Sequence, residues 1–250
     1  MSWLAGKTVL VTGASSGLGR HFAAALTAQG ATVIAAARRL DALEALAREH
    51  AGLGAIVPLQ LDVADAGGID QAIAEAEGRA GPIHALVNNA GIAPVRRALD
   101  TSISEFDSIF ATNVRGAFFV AQAVARRMAA AGFEGRIVNT ASVAGMVSMP
   151  QLTAYGMSKA AVIHMTKCLA VEWARFGISV NAICPGYVET ELNAEFLASD
   201  AGQKVIATLP RRRAARVEDL DAVLLMLLDG QGARCVTGAA IPVDDGYSLN

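Results

Sequence analysis

The stretch that decides the fold is "TVLVTGASSGLG", residues 8–19. Its first five residues form an apolar, β-branched run of strand length, and good helix formers begin at Leu18. Between the two, Gly13, Gly17 and Gly19 permit a tight strand-to-helix turn. Such a turn lets backbone amides approach a phosphate, which then sits at the positive end of the helix. The glycines fall as G-x-x-x-G-x-G rather than G-x-G-x-x-G, so their position at the first β–α crossover matters more than their spacing. Ser15, Ser16 and Leu18 lie in the same loop and join the glycines as candidate nucleotide contacts.

Outward from this loop, apolar strand-like runs alternate with longer helical patterns. Strands are expected over 8–12, 31–37, 55–63, 84–90, 135–142, 178–186 and 238–244. They are nearly continuous in hydrophobicity, as strands covered on both faces are. Helical periodicity occupies 18–29, 40–50, 69–79, 105–130, 154–176 and 218–228. This alternation predicts an α/β fold: a doubly wound, Rossmann-type parallel sheet of about seven strands with helices on both faces. No repeat or linker divides residues 1–250, so one domain is expected.

Bulk properties narrow the function classes. The 250 residues are 53% hydrophobic with a formal net charge of −2, which argues against a nucleic-acid partner. The uncharged run 137–158 is long enough to span a bilayer. It is interrupted by Asn139, Thr140, Ser142, Ser148, Pro150 and Gln151, so no membrane helix is expected. The first residues do not read as a signal peptide. Cys168, Cys184 and Cys235 have no metal-like spacing, and no metal site is expected. They suggest reduced, mostly buried thiols in a cytoplasmic protein.

The second strand of such a sheet commonly ends in an acid that holds the adenosine ribose. Here it ends "AAARRL", with Arg38 and Arg39 after Ala37. An arginine suits a ribose 2′-phosphate, so NADP(H) is favoured over NAD(H). Further along, "AYGMSK" places Tyr155 and Lys159 four residues apart on one helical face. Tyrosine's ordinary pKa of about 10 makes it a weak acid–base catalyst at neutral pH. At roughly 5 Å and an effective dielectric of about 20, the Lys159 charge favours a phenolate by about 3 kcal/mol, some two pKa units.

Tyr155-x-x-x-Lys159, Ser142 thirteen residues earlier, "TGASSGLG", "NNAG" at 88–91 and "PG" at 185–186 together resemble the short-chain dehydrogenase/reductase family. The resemblance covers essentially the whole chain. It implies that Tyr155 is the proton donor or base, that Ser142 places the carbonyl oxygen, and that Lys159 lowers the Tyr155 pKa and holds the nicotinamide ribose. Asn113, in "ATNVRG", matches the family's support for a water-linked proton path to that lysine. Asp62 and Val63 match adenine contacts, and Asn89 and Gly91 match contacts beside the adenosine ribose. Pro185, Gly186, Val188 and Thr190 match the nicotinamide end, while Asn88 reads as scaffold.

The segment 187–215 reads as a helical substrate lid carrying Phe196, Leu197, Val205 and Ile206. With Ala93, Pro94, Val95, Val143, Met149, Leu152 and Tyr187 it suggests an apolar pocket for a hydrophobic ketone or secondary alcohol. Two alternatives within the family are a 3-oxoacyl-carrier-protein reductase and an NAD-dependent alcohol dehydrogenase. Val171 and Glu172 stand where carrier-dependent enzymes tend to show arginine, which weakens the first. A silent nucleotide-binding module is a third reading, disfavoured because every catalytic position is filled. Arg211–Arg213 read as a solvent-facing loop, and the long apolar helices suggest a homotetramer.

Overall fold

Seven parallel strands form one sheet in a computed structural model that describes residues 2–50, 54–191 and 193–249. They are β1 (Thr8–Thr12), β2 (Thr32–Ala37), β3 (Ala55–Gln60), β4 (Ile83–Asn88), β5 (Gly135–Thr140), β6 (Ile178–Pro185) and β7 (Ala240–Val243). Their spatial order is β3-β2-β1-β4-β5-β6-β7. Winding reverses between β1 and β4, which leaves a crevice at the carboxyl ends of these strands. β1 and β5 are buried along their whole length, whereas the edge strands β3 and β7 are mostly half-exposed.

Helices cover both faces. On one face α1 (Gly17–Ala28), α2 (Leu40–Glu49) and α9 (Asp221–Leu228) bury Phe22, Leu26, Leu43, Leu46, Leu224 and Leu228 with Val9 and Val11. On the other, α3 (Ile69–Ala80), α5 (Ala117–Ala131) and α6 (Thr153–Trp173) bury Ile73, Val120, Val124, Met128 and Leu169 with Leu10 and Leu86. The sheet and its two helical layers make a single Rossmann-type domain, as the alternation predicts. α4 (Ile103–Phe110), α7 (Ala194–Ala198) and α8 (Asp200–Thr208) complete the described helices. None of these helices is long and apolar enough to cross a membrane.

The helix expected over 105–130 is three pieces: α4, a π-helical turn Ala111–Gly116, and α5. Ser102 caps α4 through a reciprocal capping box with Glu105, which moves the start back to Ile103. At the other end Gly116 packs on the chain after β3: a Cβ there would lie 2.5 Å from the Val63 carbonyl oxygen. β3 itself stops at Gln60, because Asp62 turns the chain by accepting from the Ala64 amide at 2.9 Å.

Two other expectations are corrected. Cys184 is buried, but Cys168 and Cys235 are exposed on the surface. Arg211 and Arg213 do not simply face solvent; they converge on Asp245 at 3.0 and 2.8 Å, and Arg213 also holds Asp219 at 2.7 Å. Within 187–215, Leu192 lies outside the described residues, while Phe196 is exposed and Leu197 is buried.

Gly116→Ala should lower stability by about 1–3 kcal/mol, since the added methyl meets backbone rather than a mobile side chain. Gly78→Ala, on the outer face of α3 with nothing within 4 Å of the new Cβ, should instead gain up to about 1 kcal/mol. Urea unfolding of both variants checks the pair.

Candidate active site

A cavity of about 800 Å³ opens at the carboxyl ends of β1, β2, β4, β5 and β6. Every candidate catalytic or cofactor-binding residue from the sequence lines it except Gly19 and Asn113.

At one end the glycine loop forms the floor. Gly13 has φ +69°, and a Cβ on it would come within 2.9 Å of Ala90 Cα and Asn89 Nδ2. Gly19 sits behind the loop, where a Cβ would lie 2.3 Å from the Gly13 carbonyl oxygen. Its absent side chain seats the first turn of α1 against the loop, which is why it does not reach the cavity. Thr12, which sequence reasoning missed, ties the two strand ends together. Its hydroxyl accepts from the Asn89 and Ala90 amides at 2.9 and 3.0 Å, and its carbonyl accepts from Asn89 Nδ2 at 3.0 Å. Asn88 is buried and donates to the Ala117 carbonyl and to Asn139 Oδ1 at 2.7 and 3.2 Å.

The two arginines after β2 differ. Arg39 donates to the hydroxyls of Ser15 and Ser16 at 3.1 and 2.9 Å and so is tied to the loop. Arg38 is exposed and its guanidinium makes no ion pair among the described residues. Across the cavity Thr190 faces Gly17, whose Cβ would lie 3.8 Å from the threonine side chain. Asn193, also missed from sequence, holds that wall: it accepts from the Thr190 amide at 2.7 Å and donates to the Val188 carbonyl at 2.8 Å.

At the other end α6 presents Tyr155 and Lys159 one turn apart, with Lys159 Nζ 5.7 Å from the phenol ring centre. Ser142 follows β5, where its hydroxyl accepts from the Ala144 amide at 3.1 Å. Lys159 is only 4% exposed, and its ammonium donates to the Thr140 carbonyl at 2.7 Å. An ammonium has three donors, so two remain for a ligand. The Thr140 hydroxyl is buried without a partner among the described residues. An orphaned hydroxyl, unspent ammonium donors and a glycine cradle on the opposite wall fit the ribose and phosphates of a dinucleotide.

Asn113 works at one remove. Its amide accepts from the Ile92 N–H and donates to the Ile92 carbonyl, both at 2.9 Å, and donates to Ser158 Oγ at 3.0 Å. Ser158 in turn donates to the Tyr155 carbonyl at 2.7 Å. The π-helical turn aims the asparagine at these protein groups, so it does not line the cavity. Ser158 is the residue that links it to the tyrosine, and a small polar residue beside Lys159 was its only signal in the sequence.

Some apolar expectations shift as well. Ala93, Val143, Met149, Leu152 and Tyr187 line the cavity, but Pro94, Val95, Phe196, Leu197, Val205 and Ile206 do not. Val95 points outward, and the side chains of α7 and α8 pack elsewhere or face solvent.

Burial dominates the electrostatics. It raises the Tyr155 phenol above its ordinary value, with the Ser142 hydroxyl pulling the other way. The lowering by Lys159 expected from spacing is therefore not the larger effect. Burial also lowers Lys159 to about 8, with Cys184 opposing. Between about pH 8 and the unfolded lysine's pKa, the unfolded chain binds more protons, so stability should rise with pH there. Lys159→Met should remove that rise and stabilise the neutral-pH protein by on the order of 1–3 kcal/mol. Chemical denaturation of both proteins at neutral and alkaline pH checks this.

The family model for short chain dehydrogenases matches residues 7–201. A 2-(R)-hydroxypropyl-CoM dehydrogenase of Xanthobacter autotrophicus is 39% identical, with 97% of this chain and 98% of that protein aligned. A D-threitol dehydrogenase of Mycolicibacterium smegmatis is 37% identical over 98% of this chain and 94% of its own. The crystal structure of a short-chain type dehydrogenase/reductase from Mycobacterium marinum superposes with a TM-score of 0.92 at 39% identity, covering 99% of this chain and 97% of that one. With the cavity and its motif residues, these similarities make the chain a member of the short-chain dehydrogenase/reductase family, oxidoreductases that act on CH–OH and C=O groups with NAD(P).

Proposed function

We propose that the protein interconverts a hydrophobic ketone and its secondary alcohol, using NADP(H). The observation that carries this is the distribution of charge along the cavity. Arg38, Arg39 and Asp62 lie at the nucleotide end, and among the described residues Lys159 is the only charged one lining the other. Around Ser142 and Tyr155 the walls are Ala93, Val143, Ala144, Met149, Leu152 and Tyr187. Such walls favour an apolar ketone over an anionic substrate, whose charge would be desolvated without a partner. The absence of a carboxylate at the end of β2, with Arg38 unpaired beside it, supports NADP(H) over NAD(H).

When bound, the nicotinamide supplies the hydride in reduction and accepts it in oxidation. Tyr155 gives its proton to the carbonyl oxygen in reduction and takes one from the alcohol in oxidation. Burial keeps the phenol protonated at neutral pH, the form that reduction needs. Ser142 donates to the same oxygen and orients it. Lys159, fixed by the Thr140 carbonyl, stabilises the phenolate left behind and offers its free donors to ribose hydroxyls. Asn113 is a positioning residue acting through Ile92 and Ser158. The segment 187–215 serves as the lid: it lines the cavity through Tyr187, Val188, Thr190 and Asn193, and its end at Ala215 bridges back to Val188.

Nicotinamide consumption with NADPH and NADH, measured against a bulky aryl ketone and a 3-oxoacyl thioester, tests this. The aryl ketone should turn over with NADPH preferred, and Arg38→Ala should cut that preference about tenfold or more. Tyr155→Phe should lose at least about a hundredfold in kcat. Because burial raises the phenol's pKa, alcohol oxidation should climb as pH rises above neutral while ketone reduction does not. Turnover of the thioester alone would overturn the substrate class, and an NADH preference would overturn the role of Arg38.

A further inference from the structure

Among the described residues Tyr187 is the one aromatic wall of the cavity besides Tyr155, and none of them fixes its ring by a hydrogen bond to the catalytic cluster. What meets that ring is the segment after β7. Pairing of β6 with β7 extends to Pro185 and Val243, and the Gly186 amide donates to the Val243 carbonyl at 3.2 Å. Gly186 leaves room for the residue that follows β7: a Cβ on it would lie 2.9 Å from Asp244 Cβ. The Asp244 carboxylate accepts from the Gly246 and Ser248 amides at 3.0 and 2.8 Å, and its carbonyl accepts from the Tyr247 amide at 3.0 Å. This tight turn sets Tyr247 edge-on to Tyr187, ring centres 5.7 Å apart and planes at 88°.

The same turn is tied to the far end of the segment that begins at Tyr187. Asp245, with φ +53°, receives Arg211 and Arg213, which follow α8. Two residues on from Arg213, the Ala215 amide donates to the Tyr187 carbonyl at 2.8 Å. Backbone and ring of Tyr187 are thus held by two groups that meet at Asp245.

We propose that Tyr247 is a positioning residue for substrate specificity: through its edge-on contact it fixes the Tyr187 ring as a flat wall suited to an aryl ketone. This rests on the ketone reading of the site. A small aliphatic ketone does not reach that wall and does not depend on it. Gly186 and Val188, the candidate dinucleotide contacts on either side of Tyr187, are held by backbone pairing with Val243 and Ala215 rather than by the Tyr247 ring.

The test uses the full chain and its Tyr247→Phe and Tyr247→Ala variants, with NADPH as cofactor and acetophenone and butanone as probes. NADPH dissociation is measured separately by nicotinamide fluorescence. Tyr247→Ala should raise KM for acetophenone about three- to tenfold, the worth of one aromatic pair, with kcat changed less than about twofold. KM for butanone and NADPH affinity should stay within about twofold, and Tyr247→Phe should restore the parent KM. Should Tyr247→Ala not fold, Tyr247→Leu keeps the bulk without an aromatic edge and carries the same expectation. An unchanged acetophenone KM, an equal rise for both ketones, or a Phe variant as poor as the Ala variant would overturn the proposal alone. A parent protein that binds NADPH but turns over neither ketone would overturn the reading beneath it.

Discussion

A lysine ammonium buried to 4% exposure, with one protein acceptor, is the constraint around which the site is arranged. Removing such a charge from water is costly, and the drop of Lys159 to about 8 expresses that cost. Several elements hold it there. The last residue of β5 turns its carbonyl to the ammonium. The Asn113–Ser158–Tyr155 chain fixes the first turns of α6. Gly91 keeps the wall thin, since a Cβ there would lie 3.4 Å from Nζ. A buried ammonium with spare donors, held by the carbonyl of a threonine whose hydroxyl has no partner among the described residues, makes sense in a protein whose ligand completes the network.

The low dielectric that penalises Lys159 also shapes the chemistry. It favours the acid form of Tyr155 at neutral pH, and in the proposed reaction it would strengthen the interaction between ammonium and phenolate once the proton has left. Charged side chains would undo this, and the described lining around Ser142 and Tyr155 has none apart from Lys159. At the nucleotide end the logic reverses. There the walls are backbone, hydroxyls and arginines, suited to phosphate, and Arg39 ties the β2 end to the loop through Ser15 and Ser16.

The strands were legible because a parallel sheet covered on both faces needs nearly continuous apolar runs, and these ended within a few residues of the observed strand ends. The motif residues were legible as a set, and their convergence on one cavity follows from the strand order. Effects that depend on depth or on distant contacts were not. Spacing alone relates Tyr155 to Lys159, but the burial that outweighs the lysine depends on what packs over α6. Gly19 and Asn113 read as cavity residues by motif, yet one seats a helix and the other braces Ile92 and Ser158. The break in 105–130 depends on Gly116 meeting Val63, and the pairing of Arg213 with Asp245 spans thirty-two residues. Periodicity registers neither.

The proton uptake that accompanies NADPH binding tests the central claim most directly, because it reads Lys159 without needing a substrate. Calorimetry in buffers of different ionisation enthalpy, compared between the parent protein and Lys159→Met, isolates the lysine's share. If ribose hydroxyls and phosphate charge complete the ammonium's surroundings, the parent should take up as much as about half a proton more than the variant at pH 8, and almost none more near pH 6. Equal uptake by the two proteins at both pH values would mean that NADPH does not engage Lys159. The proposed cofactor site would then be wrong.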